Sequence, residues 1–149
     1  MKRHHVLTWA LAVGIAIVPL ISSDAAARSG EPEIVVVQHI LIGFKKTVSG
    51  KTLERTKKEA KALAEELFAR AKEGEDFDAL VKEYTNDRYP GIYKVINDEG
   101  PLIPDGIPRK DMIPCFGEVA FELEVDEVGM AKYNSMGCNF GWHIIKRLE

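Results

Sequence analysis

Ile34-Val35-Val36-Val37-Gln38-His39-Ile40-Leu41-Ile42 is a near-continuous run of β-branched and leucine residues, interrupted only by Gln38 and His39. β-Branched side chains crowd a helix but pack well on a pleated surface, so the run predicts a buried strand. Side chains alternate across a strand, which puts His39 on the face of Val35, Val37 and Leu41. The far end of the chain carries two more strand-like segments, at 128–133 and 141–148. The stretch 134–137 between them has turn chemistry, so the two are expected to pair as a hairpin. Residues 91–96 read as one further short strand.

Between these strands the hydrophobic period changes to that of a helix. Thr56 and Glu59 form a capping box, and Ala60, Leu63, Ala64, Leu67, Phe68 and Ala71 follow on one apolar face. Gly74 supplies a left-handed cap at the end of that helix. Asp76 caps a second helix whose buried face is Phe77, Leu80, Val81 and Tyr84. Thr85-Asn86-Asp87 stops it, because these short polar side chains compete for backbone hydrogen bonds. A third, short helix is expected from Met112 or Ile113 to Phe121. Residues 97–111, with three prolines and two glycines, read as a long loop, and loops beyond about 12–15 residues are often functional. This order predicts an α+β domain: a small, four-stranded, mostly antiparallel sheet flanked by three to four helices.

The chain has 149 residues with a net charge of −3, 46% apolar and 29% charged residues, the composition of one globular domain. So mild an acidic balance provides no broad cationic field, and nucleic acid is not an expected partner. Two cysteines make neither a disulfide-dense scaffold nor a four-thiolate zinc site. No internal repeat suggests a solenoid. The N-terminus reads as an address. Lys2 and Arg3 precede a largely apolar run at 6–21, and Ala25-Ala26-Ala27 gives a small-residue exit. Residues 1–27 are therefore expected to be a signal peptide, 28–33 a linker and 34–149 the folded domain, periplasmic or secreted. The alternative is a membrane anchor left uncleaved; after cleavage no stable membrane insertion is expected.

Five segments, in this order, carry a family likeness. They are Gln38-His39-Ile40-Leu41, Gly74-Glu75-Asp76-Phe77, Tyr84-Thr85-Asn86-Asp87, the run Met112-Ile113-Pro114-Cys115-Phe116 through to Phe121, and Phe140-Gly141-Trp142-His143-Ile144-Ile145. Together they resemble the parvulin-type peptidyl-prolyl cis/trans isomerases, over about residues 35–148. The resemblance implies that His39 and His143 are paired histidines on neighbouring central strands. It implies that Asp87 takes the Cys-or-Asp position after the second helix. Met112 and Phe116 would wall a proline pocket with Phe121, and Phe140 would lie beside it. Cys138 would occupy a position that often holds a hydroxyl. The family's usual Gly-Gly-Asp-Leu-Gly strand is replaced here by Gly91-Ile92-Tyr93-Lys94-Val95-Ile96, so Tyr93 stands in for the pocket leucine.

The activity so implied is acceleration of X-Pro bond rotation in unfolded or proline-containing exported polypeptides, by a monomer without cofactor or metal. The runner-up is a peptide-binding chaperone module with little isomerase activity. Several residues have plainer readings. His39 alone suits a hydrogen-bonded core histidine, and Asp87 alone a helix-end cap. Met112 and Phe116 alone suit the core, although at i and i+4 they would stack on one face of a helix turn and could grip a ring. Cys115 and Cys138 are open to two readings, free thiols or a disulfide in an oxidising compartment. Lys45, Lys46, Lys51, Arg55, Lys57 and Lys58 suit a solvated loop and helix start, or attraction for an acidic partner.

Overall fold

The run at 34–42 forms the middle strand of a sheet because both of its edges find partners. A computed structural model describes residues 30–149, and residues 31–149 form one unit in it. The leader expected at 1–27 lies outside the described residues. Strand β1 (Ile34–Ile42) is followed by helices α1 (Lys57–Lys72) and α2 (Phe77–Tyr84), then β2 (Ile92–Ile96) and β3 (Gly106–Pro108). Helix α3 (Pro114–Glu122), β4 (Val128–Ala131) and β5 (Trp142–Arg147) complete the order. The sheet order is β3-β2-β1-β5-β4, antiparallel except for the β2–β3 pair. The class is α+β, as expected.

Alternation along β1 and β5 divides the core between two faces. Ile40, Ile42 and Ile144 point toward Ala60, Ala64, Leu67, Leu80 and Val81 of α1 and α2. Val35, Val37 and Ile145 point the other way, toward Phe116, Ala120 and Phe121 of α3. The capping box of α1 is formed: the Thr56 hydroxyl accepts from Glu59 N–H at 3.2 Å, and Thr56 N–H donates to the Glu59 carboxylate at 2.7 Å. Asp76 caps α2 by accepting from Ala79 N–H.

The structure departs from the sequence reading in three places. First, the sheet has five strands, not four: Gly106-Ile107-Pro108, inside the expected loop, pairs in parallel with Lys94, Val95 and Ile96. Gly106 allows that approach, since a Cβ there would sit 2.6 Å from the Ile96 side chain. Pro108 lacks a donor, which an edge strand tolerates. Proline and glycine content signals a loop and says nothing of so short an edge. Second, Met112 is not helical. A 3₁₀ turn at Arg109–Asp111 ends on it with extended backbone, and α3 begins at Pro114. Proline at N1 suits that start, since its missing N–H has no helical partner in any case. Third, the linker's last residues are docked: Pro32 O and Glu33 O accept from the Asn97 side chain and backbone at 3.2 and 2.8 Å.

Candidate functional site

Both histidines come from the sheet. In the β1–β5 register His39 faces Ile145 and Leu41 faces His143, so the two imidazoles are diagonal neighbours on one face. Their Nδ1 atoms lie 3.3 Å apart and the rings are nearly parallel. β2 leaves β1 at Gln38, and the next backbone groups of β1 are taken by the chain that leaves α2. The Thr85 hydroxyl accepts from Leu41 N–H, Asn86 N–H donates to Leu41 O, and the Asn86 side-chain oxygen accepts from Gly43 N–H. The helix-breaking trio is thereby stitched to the sheet, which brings the Asp87 carboxylate within 3.0 Å of His39 Nε2. Gly91, at φ +67°, is a second constraint: its carbonyl accepts from His39 N–H, and a Cβ on it would lie 2.8 Å from His39 O.

Tyr93 Oη donates to the same Asp87 oxygen at 2.7 Å. That oxygen therefore receives two donors. The His39 N–H first, and the Tyr93 hydroxyl after it, hold the carboxyl well below the usual carboxylate range despite partial burial. Burial first, and then Asp87, push the Tyr93 phenol upward. His143 is pushed down to about 3, chiefly by burial and secondarily by the neighbouring His39. It is therefore neutral near neutral pH. His39 Nε2 faces the carboxylate and donates to it, and one proton joins the two Nδ1 atoms. His143 Nε2 is buried with no partner among the described residues.

Over this polar floor stand aromatic walls. The Phe116 ring meets His39, Tyr93 and His143 edge to face, with centroids 5.1, 6.1 and 5.6 Å away. Met112 and Phe140 close the sides, and Phe140 is 40% exposed at the mouth. The resulting cleft has a volume of about 360 Å³, mostly apolar with a few convergent polar groups. Asp87 and His143 are both held below their ordinary values and are weak proton acceptors, so the arrangement suits gripping a small apolar ring rather than abstracting a proton. His39, His143 and Asp87 run in a line of mutual hydrogen bonds instead of converging on a common point, which is not how metal ligands are arranged.

The structure brings together His39, Asp87, Tyr93, Met112, Phe116, Phe140 and His143 around this cleft. Two candidates fall outside it. Cys138 is fully buried and bonded to Cys115, with Cα atoms 5.7 Å apart, so it offers no thiol. Phe121 is buried in the core behind α3, beneath the Arg109 guanidinium. Met112 reaches the wall from the end of the 3₁₀ turn and not from a helical i, i+4 face. Sequence reasoning missed Leu41, Val48, Ser49, Asp111 and Ile113, which also line the cleft. Val48 lies in the 43–55 loop with two other large apolar residues, Phe44 and Leu53, and nothing in its spacing singled it out. Half of the basic cluster is engaged locally. Lys51 donates to Asp87 O, Arg55 to the Asn86 side chain, and Lys57 lies over the Tyr133 ring.

Comparison with known proteins gives consistent likenesses. The family model described as a PPIC-type PPIase domain matches residues 23–149. Foldase protein PrsA of Caldanaerobacter subterraneus subsp. tengcongensis is 31% identical over 114 residues, covering 76% of this chain and 28% of that protein. Chaperone SurA of Chromohalobacter salexigens is 32% identical over 138 residues, covering 89% of this chain and 27% of that protein. The chain thus spans little more than a quarter of these curated relatives. The solution structure of TbPIN1 superposes with a TM-score of 0.58 at 17% identity, covering 78% of this chain and 98% of that one, a likeness of fold.

Proposed function

The chain belongs to the PPIC-type peptidyl-prolyl isomerase family, the parvulin type, and on that premise we propose that it accelerates X-Pro bond rotation in exported polypeptides. The observation that carries this is the cleft itself: a mostly apolar space walled by Phe116, Tyr93 and Met112 above a hydrogen-bonded His143–His39–Asp87 line. Rotation breaks amide resonance, a barrier of about 18–20 kcal/mol, and needs no covalent intermediate. In the twisted state the carbonyl loses negative charge and the proline nitrogen becomes pyramidal. A cleft that grips the ring and keeps water from the carbonyl binds that state better than the planar one. Lowering the barrier by about 5–7 kcal/mol corresponds to roughly 10⁴–10⁵-fold acceleration.

In this reading Phe116, Met112 and Tyr93 hold the ring, with Phe140 at the mouth. His39, His143 and Asp87 form a hydrogen-bonded floor that stays in place while the amide turns. No cofactor takes part. The proposed clients are unfolded, proline-containing chains outside the cytoplasm, and the proposed acting form is a monomer. Three observations support that setting: the leader-like residues 1–27, the Cys115–Cys138 disulfide, which belongs to oxidising compartments, and relatives named as a foldase and a chaperone.

Exchange NMR on a panel of X-Pro peptides tests the proposal. The wild-type chain is expected to accelerate cis/trans exchange, and Phe116→Ala to remove most of the acceleration while the sheet resonances persist. A folded Phe116→Ala protein with the full wild-type rate would overturn the assignment. A second reading is a chaperone that binds peptide without efficient catalysis. It is favoured by the exposed apolar side chains of Phe140 and Met136 and by tyrosine in the place of the pocket leucine. It predicts peptide-induced shifts at the cleft and suppressed client aggregation with unchanged exchange rates.

A further inference from the structure

Met112 walls the cleft, yet neither a strand nor a helix carries it. Its backbone N–H donates to Arg109 O at 3.0 Å, the bond that ends the 3₁₀ turn. The place of Met112 therefore depends on what holds Arg109. Three contacts do so. Arg109 Nη1 donates to Glu31 Oε2 at 2.7 Å, and both side chains are only 18% exposed. The guanidinium carbon lies 4.5 Å from the centre of the Phe121 ring. The aliphatic stem packs on Gly117, where an added Cβ would meet Arg109 Cγ at 3.2 Å. A planar guanidinium can stack on a ring and reach a carboxylate at once; a lysine ammonium does this less well.

Glu31 is held in turn. The Asn97 amide donates to Glu31 Oε2 at 3.4 Å and to Pro32 O at 3.2 Å, while Asn97 N–H donates to Glu33 O at 2.8 Å. Asn97 and Arg109 lie at opposite ends of the Pro-rich 97–111 stretch. Glu31 ties the two ends together. We propose that Arg109 is a positioning residue for the Met112 wall, and that Glu31, from the segment before β1, supplies the charge that keeps it in place. The grip of the cleft on a proline ring is then set partly by a residue outside both cleft and sheet. This rests on the isomerase reading for its consequence, but not for its geometry.

The test uses the full chain with ¹³C-methyl-labelled methionine, the Met112 signal being assigned by Met112→Leu. Glu31→Gln removes the charge and keeps the shape, Arg109→Met keeps the stem and loses the fork, and Arg109→Lys keeps the charge. Glu65→Gln, on an exposed α1 pair, is the control. In Glu31→Gln and Arg109→Met the Met112 methyl signal is expected to shift or broaden. The X-Pro peptide dissociation constant is expected to rise about tenfold while the exchange rate of the bound peptide stays within about threefold, with partial rescue in Arg109→Lys. An unmoved Met112 signal and unchanged peptide binding, with only a lower melting temperature, would overturn the proposal. If Arg109→Met does not fold, Glu31→Gln decides. If the wild-type chain binds no X-Pro peptide, the isomerase reading fails and the Met112 signal alone decides the positioning role.

Discussion

A neutral imidazole buried at His143 makes the fold sensitive to acid, and the direction follows from proton counting. Its folded-state value is near 3, against an ordinary 6.5. Above the ordinary value both folded and unfolded chains leave it neutral, and the stability is whole. Below that value the unfolded chain takes up a proton that the folded one refuses. Stability then falls by about 1.4 kcal/mol per pH unit until the folded value is reached. Asp87 adds to the loss below its ordinary 3.8, since its folded value is also depressed. His143→Gln is expected to start less stable at pH 8, because it disturbs the contact with His39, but to show a flatter decline between pH 6.5 and 4. Urea midpoints at four pH values measure this, and parallel curves for the two proteins would refute it. At this scale the sequence was most readable where strand alternation fixed a side chain's face, as for His39. It was least readable where a partner distant in sequence decides the role: nothing near Glu31 announces Arg109, and the two cysteines, read alone, left a disulfide and free thiols both open.

The Cys115–Cys138 bond joins the first turn of α3 to the turn that leads into β5. Asn134 organises that turn, its side-chain oxygen accepting from Met136 and Gly137 N–H. Phe116 and Phe140, on two walls of the cleft, are thus attached to either side of one covalent link. The bond spans 23 residues, and closing a loop of that size stabilises by roughly 3 kcal/mol in the chain-entropy account. Replacing both cysteines with serine is expected to lower the denaturation free energy by about 2–4 kcal/mol, and to leave wild-type protein treated with reductant at the same midpoint. A double variant as stable as the oxidised chain would show that the link is ornamental. Elements with strong local signals were legible: the capping box of α1, the Asp76 cap of α2, the β-branched runs of β1 and β5. β3 was not, because three residues with a glycine and a proline have no periodicity to detect. The start of α3 was displaced by one or two residues because Met112 and Ile113 fit the apolar pattern of a helix, while the 3₁₀ turn before them claims the Met112 backbone.

On the scale of the molecule, one layer of β-strands serves two cores. Ile144 and Ile145 are neighbours in β5, both fully buried, and they face opposite ways, toward α1–α2 and toward α3. Neither core can lose its strand without exposing the other, so residues 31–149 are expected to unfold as one cooperative unit, as small single domains usually do. Methyl NMR of Ile144 and Ile145 across a urea titration measures this directly, and the two midpoints are expected to coincide. The cleft belongs to the α3 side, through Phe116, yet its floor is the sheet itself, through His39 and His143. A peptide bound in the cleft should therefore raise both midpoints together, by about 2.7 kcal/mol of added stability at 100 times its dissociation constant. If peptide raises the Ile145 midpoint alone, or if the two differ without it, the α1–α2 side is an independent layer. The site would then be held by the α3 side only, and the sheet would not transmit occupancy from one core to the other.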